Sequence, residues 1–152
     1  MKNLKEVLEL HKKWLNCKKE GIRADLSNVD LSNTDLSNTD LRCANLTNAN
    51  LSYVDLSKSN LINADLSGAN LNEAKLNEAK LSGANLSCSD LSYADLSKSN
   101  LINADLSGAN LNEAKLNEAK LSGANLSCSD LSYADLSKSN LINADLSGAN
   151  LN

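Results

Sequence analysis

Residues 51–70 read LSYVDLSKSNLINADLSGAN, with leucine at positions 51, 56, 61 and 66. Around each leucine one unit recurs: a small residue two positions before, Asp, Asn or Lys immediately before, mostly Ser after, then a variable residue. Followed outward, the pattern runs unbroken from Leu26 to Leu151 and takes in 26 leucines. A period of five tracks neither the 3.6-residue turn of an α-helix nor the two-residue alternation of a flat strand, which would turn every second leucine outward. A fixed short period belongs to repeat architectures, whose units bury their apolar faces only by stacking. A longer period lies on top: residues 51–112 recur as 91–152 at 61 of 62 positions, the exception being Val54 against Ala94.

The unit A(D/N)LSx closely resembles the A(D/N)LXX signature of the pentapeptide-repeat family, and the resemblance covers residues 24–152. The lead-in, LKEVLELHKKWL and then GIRADL, is similar to that of some bacterial and prophage members. The resemblance implies an all-β fold, a right-handed quadrilateral β-helix with four pentapeptides per coil and about 6.5 coils over 24–152. Charges support that coil size independently. Stacked strands lie about 4.8 Å apart, so residues 20 apart should touch. At the variable position Lys58, Glu78, Lys98, Glu118 and Lys138 alternate in sign; immediately before leucine, Asp55, Lys75, Asp95, Lys115 and Asp135 alternate again. Opposite charges across neighbouring strands attract, so a period of 20 turns both columns into complementary ladders.

Leucine and the small residue two before it should point inward, and each buried leucine contributes roughly 1.5–3 kcal/mol before entropy. At the corners, Asn28, Asn33, Asn38, Gly68 and Gly83 tolerate the positive φ of a type II turn. Tyr53, Lys58, Glu73 and Glu78 favour a type I-like corner, so two kinds of corner are expected, segregated by face.

Residues 1–23 form a separate capping segment. Leu4, Val7, Leu8, His11, Trp14 and Leu15 fall on one helical face. Asn3 with Glu6 reads as an N-cap, and Gly21 suits the stop. A helix over 3–19 would plug the open end of the solenoid, with Trp14 as its largest anchor and Leu8 beside it.

No stretch of 18 apolar residues is present, which argues against a membrane-spanning helix. No signal-peptide apolar stretch follows Lys2, which points to the cytoplasm. Residues 1–23 carry a net +4 and residues 24–152 a net −8. Some pentapeptide-repeat proteins resemble DNA in shape and charge and bind type II topoisomerases. Over a rod of about 31 Å, duplex DNA would carry about 18 charges, so a net −8 is less than half-strength mimicry and simple solubility is favoured.

Catalytic constellations are lacking. His11 is the lone histidine and reads as structural. The aspartates recur by repeat logic, the serines have no organised base, and no GxGxxG, GxxxxGK(S/T), HExxH or CxxC occurs. No catalytic residue, cofactor or metal is expected. Cys88 and Cys128 are repeat copies about 9.6 Å apart along the axis, too far to bridge, and with Cys17 and Cys43 they read as reduced thiols.

Three functions remain: a rigid scaffold for an unidentified protein partner, a DNA-mimicking modulator of a type II topoisomerase (gyrase), and a repetitive-surface binder such as an ice-binding solenoid. The third ranks last, because Ile62, Ile102, Asn72 and Asn77 break the serine rows and threonine is scarce. Direct nucleic-acid binding is not expected. Tyr53, Tyr93 and Tyr133 form a candidate contact strip interleaved with Glu73 and Glu113, against corner packing as the plainer account. Leu136, Leu141, Leu146 and Leu151 make an uncovered last layer through which a weak end-to-end homodimer could form.

Overall fold

The computed structural model describes residues 3–152; Met1 and Lys2, the start of the capping segment, lie outside the described residues. One helix, α1 (Leu4–Leu15), is followed by a stack of parallel single-residue bridges. Asn3 caps α1 by accepting the backbone N–H of Glu6 at 2.9 Å. The helix stops earlier than a 3–19 span. Cys17 adopts φ 52, its N–H donates to the Trp14 carbonyl, and the Lys18 N–H donates to the Lys13 carbonyl. This is a Schellman motif with Cys17 in the left-handed position usually held by glycine. Gly21 has another task. A Cβ there would lie 2.3 Å from the Trp14 backbone nitrogen, so Gly21 lets the returning chain cross closely over the helix.

From Asp25 onward every bridge joins residues 20 apart in parallel, as in Asp25 with Asn45, Asp55 with Lys75 and Asp130 with Asn150. One coil therefore has four pentapeptide sides. Sides 1, 2, 3 and 4 are those that begin, in the first coil, with Leu26, Leu31, Leu36 and Leu41, each taken with the residue before its leucine and the corner that follows. Only one residue per side is bridged, because two of every five residues are spent turning.

Where Asp or Asn precedes leucine and a coil stacks on each side, the backbone account closes within the unit. Around Tyr93, the Leu91 N–H donates to Asn110 O (2.7 Å) and the Tyr93 N–H to Asn112 O (2.9 Å), both in the next coil. The Asp95 N–H reaches Ala74 O in the previous coil (2.9 Å), and the Ala94 N–H closes the turn on Leu91 O (3.0 Å). The fifth N–H, of Ser92, is taken by the side-chain Oδ1 of Asp90 at 3.1 Å. This Asx bond explains why Asp or Asn precedes leucine: a short acceptor two residues back satisfies the one turn N–H the stacking leaves free. Two residues before Asn77, Ser82, Asn117 and Ser122 stands lysine, which has no acceptor, and no such bond forms.

The two-corner expectation fails. Tyr53 (φ 58), Lys58 (φ 57), Glu73 (φ 55) and Glu78 (φ 60) are as left-handed as Asn28 (φ 57) and Gly68 (φ 65). With the hydrogen bond from the small residue back to leucine, every side ends in the type II arrangement. Up to Tyr133 each corner N–H donates to the next coil, and this bond overrides the intrinsic preference of Lys, Glu and Tyr.

The core is a column of leucine layers. Leu41 through Leu126 are essentially inaccessible, interleaved with Ala, Val54 and the buried Ser59, Ser89, Ser99 and Ser129. The Ser89 Oγ donates to Leu86 O and the Ser129 Oγ to Leu126 O, each at 2.7 Å. The Ser59 and Ser99 hydroxyls are buried without a partner.

Candidate interaction surfaces

The geometry offers four surfaces: the capped end, the far end, and the two unlike halves of the flank. At the capped end His11 is fully buried, and its Nδ1 accepts the Ala24 N–H at 3.0 Å, tying α1 to the first coil. Burial lowers its pKa, chiefly by desolvation. Trp14 sits at the rim, 36% exposed, with its ring stacked on His11 at 5.6 Å between centroids. Leu4, Val7 and Leu8 are partly buried against the core. The helix leaves an apolar groove between Val7, Leu10 and Ile22 on one wall and Leu26, Val29 and Leu31 on the other. A lone histidine carries no pattern in sequence, which is why its part in the joint was not legible there.

At the far end Leu136, Leu141 and Leu146 are half-buried and Leu151 is 59% exposed, in contrast to the closed layers before them. Ile142 is exposed beside them.

Along the flank, charge is divided by side. Within residues 24–152, sides 1 and 2 carry seven aspartates with Glu73 and Glu113, and no lysine or arginine. Sides 3 and 4 carry every cation of the solenoid: seven lysines and Arg42, against seven carboxylates. An average over the length of the rod conceals this. Sorting the sequence into columns of 20 would have revealed it.

Two devices keep stacked carboxylates apart. On sides 1 and 2 asparagine is interposed: Asn85 Nδ2 donates to Asp65 Oδ1 (3.2 Å) and Asn110 Nδ2 to Asp90 Oδ1 (3.1 Å). On side 3 lysine alternates with the acids from Asp55 onward, and at its corner Lys58 Nζ lies 3.9 Å from Glu78 Oε1. Both partners are more than half exposed, so the pair is worth only about 0–1 kcal/mol. Bonds from the Ser27 hydroxyl and N–H hold the Asp25 carboxyl below the usual carboxylate range, and those from the Ser132 hydroxyl and N–H do the same for Asp130.

The tyrosine column stands at the corner closing side 2. Tyr53, Tyr93 and Tyr133 are 52%, 51% and 80% exposed, so corner packing does not account for them. The Tyr53 hydroxyl donates to Glu73 Oε1 in the next coil at 2.8 Å. Hydrogen bonding to Glu113 raises the pKa of Tyr93.

The four cysteines are free: Cys17, Cys88 and Cys128 are exposed and Cys43 is half-buried. Among the described residues no cluster of three or more His, Cys, Asp or Glu could hold a metal ion, and no helix is long and apolar enough to cross a membrane.

In comparisons with known proteins, no curated protein matches the chain. It is similar to the solved structure of HetL, a pentapeptide-repeat protein involved in heterocyst differentiation regulation from Nostoc sp. strain PCC 7120. The two share 34% identity over 85% of this chain and 68% of that one, with a TM-score of 0.42. Rfr23 from Cyanothece 51142 is 24% identical over 94% and 97% of the two chains, with a TM-score of 0.47. Full-length QnrB1, a plasmid-mediated fluoroquinolone resistance protein, is 22% identical over 84% and 83%, with a TM-score of 0.42. The sequence profile described as Pentapeptide repeats matches residues 22–56, 49–87, 89–127 and 129–152. With that match spanning the whole solenoid, the chain belongs to the pentapeptide-repeat family.

Proposed function

We propose that the chain is a non-enzymatic, rigid scaffold that presents its flanks to a protein partner. The observation that carries this reading is the charge division: nine carboxylates and no cation on sides 1 and 2, against a nearly neutral opposite half. A bonded solenoid loses little freedom on binding, and such a surface is complementary to a basic one. The coil is taken as right-handed, as the family resemblance implies, the helix and residues up to 23 as its cap, and the compartment as cytoplasmic. The test is crosslinked capture from the native host with the intact rod and with a variant carrying Asp90→Asn, Asp130→Asn and Glu113→Gln. A partner bound by the first and lost by the second is the expected result. Equal capture by both, or none by either, refutes the reading.

The same division favours a second reading, modulation of a type II topoisomerase by DNA mimicry. Nine carboxylates along about 31 Å of one flank amount to about one per 3.4 Å, the spacing of phosphates along a single DNA strand. A gyrase supercoiling assay, with and without a quinolone, decides it; unchanged supercoiling at saturating protein rejects this second reading.

The half-exposed layer of Leu136, Leu141, Leu146 and Leu151 supports an end-to-end homodimer. A two-fold contact covers both ends at once, and one coil's cross-section keeps it below about 1,200 Å², hence weak. Light scattering across a concentration series should show a dimer that Leu146→Lys with Leu151→Lys abolishes.

A further inference from the structure

Three bulky tyrosines occupy left-handed corner positions where Asn or Gly costs less, and all three project into solvent. Their spacing is two coils, about 9.6 Å. Each lies between acids or amides of its own coil: Asn50 and Asp55 for Tyr53, Asp90 and Asp95 for Tyr93, Asp130 and Asp135 for Tyr133. The Tyr53 hydroxyl bonds to Glu73 one coil on, so its ring bridges the two coils along the edge of the rod. An aromatic ring with carboxylates around it attracts a cation to its face, a guanidinium above all.

The coils between are different. There the corner holds Glu73 or Glu113, and two residues on stands Lys75 or Lys115, bridged to the aspartates of side 3. A cation set one coil out of register meets no ring face, only Glu73 or Glu113 with a lysine beside it. Ring faces therefore recur at about 9.6 Å intervals along the strip, with a carboxylate and a lysine, but no ring, halfway between them. A polyproline II chain has three residues per turn and rises about 3.1 Å per residue, which puts every third side chain on one line at about 9.3 Å. A β-strand does not fit, because its residues i and i+3 point to opposite faces.

From this match we propose that the Tyr53–Tyr93–Tyr133 corner docks an extended, polyproline-type segment of the partner that bears arginine at every third residue. This deepens the scaffold reading and rests on it.

The test uses the full chain and two fluorescent peptides of equal length and equal arginine count, with arginines separated by two prolines in one and by three in the other. Anisotropy at physiological salt should show the two-proline peptide binding at least about fivefold more tightly. Tyr53→Ala with Tyr93→Ala should weaken it about tenfold while leaving the circular dichroism and the unfolding midpoint near those of the parent. Tyr53→Phe with Tyr93→Phe should retain most of the affinity, because the ring face remains. Equal binding of the two peptides, or an unchanged affinity in the alanine variant, overturns the inference. A chain that binds neither peptide but still captures a host partner through Asp90, Asp130 and Glu113 also overturns it and leaves the scaffold reading standing.

Discussion

Asn45 donates its Nδ2 to the Oδ1 of Asp25, one coil below, at 3.0 Å, while that same oxygen accepts the hydroxyl and the N–H of Ser27. The choice between Asp and Asn in the repeat is therefore set by the neighbouring coil as well as by its own turn. Both residues supply the turn acceptor, but only Asn can also donate downward. Side 3 breaks the rule, with Asp55 bridged directly to Asp35. Like charges in facing positions destabilise. Asp35→Asn keeps the turn bond to Ser37 and removes the like charge facing Asp55, whose pairing with Lys75 is untouched. Its melting midpoint should rise by about 1–3 °C at low salt, with a smaller gain at high salt. A lower midpoint in differential scanning calorimetry would contradict the ladder argument.

Cys17 and Gly21 should respond in opposite ways to a change of side chain. Cys17 holds φ 52 without needing its thiol, so Cys17→Gly relieves a left-handed strain and should stabilise by about 1 kcal/mol. Gly21→Ala drives a Cβ to within 2.3 Å of the Trp14 nitrogen and should cost about 1–3 kcal/mol. Urea unfolding of both variants checks the pair.

Acid should loosen the molecule from its capped end. Desolvation lowers the pKa of His11 from 6.5, with Arg23 and Arg42 acting in the same direction and Asp40 opposing them. A folded-state pKa below the unfolded value means that stability is complete above pH 6.5 and declines as the pH falls below it. Protonation also removes the lone pair that accepts the Ala24 N–H. The aspartates act at lower pH. Asp25 and Asp130 lie below 3.8 because their carboxylates accept bonds from Ser27 and Ser132, so their contribution is present above 3.8 and is lost as pH falls through the depressed values. Hydrogen exchange should show α1 losing protection first as the pH falls below 6.5, while the coils keep theirs. Loss of both together would refute a two-stage response.

The leucine period and the 20-residue charge columns made the solenoid legible in sequence, because a packed tube repeats its inward side chains with its geometry. The corner conformation was not legible. Propensity argues against left-handed Lys98 or Glu118, and only the stacked coil supplies the bond that holds them there. The helix stop was misplaced for a related reason: Gly21 looks like a terminator, but a close backbone approach is invisible in a linear string. The acidic half of the flank was written in the sequence throughout and emerges once residues are sorted by side rather than along the chain.

Leu96 lies mid-rod and is fully buried. Leu96→Ala should cost about 2–5 kcal/mol, since neighbouring layers, each bonded to the next, can collapse only partly into the space. A negligible shift in the urea midpoint would contradict its burial.

Ser99 and Ser89 offer one substitution with two opposite outcomes. Both face the core and both are fully buried, but the Ser89 hydroxyl donates to Leu86 O and the Ser99 hydroxyl bonds to nothing. An unmet buried hydroxyl costs about 1–3 kcal/mol, whereas an internal hydrogen bond contributes about 0.5–1.5 kcal/mol. Alanine already fills the Ser99 site one coil either way, at Ala79 and Ala119, so the smaller side chain fits the layer. Ser99→Ala should therefore stabilise by about 1 kcal/mol and Ser89→Ala should destabilise by about the same amount. Urea midpoints measured in parallel cancel any common effect of losing an oxygen from the core. Shifts of the same sign would mean that the two hydroxyls are equally satisfied.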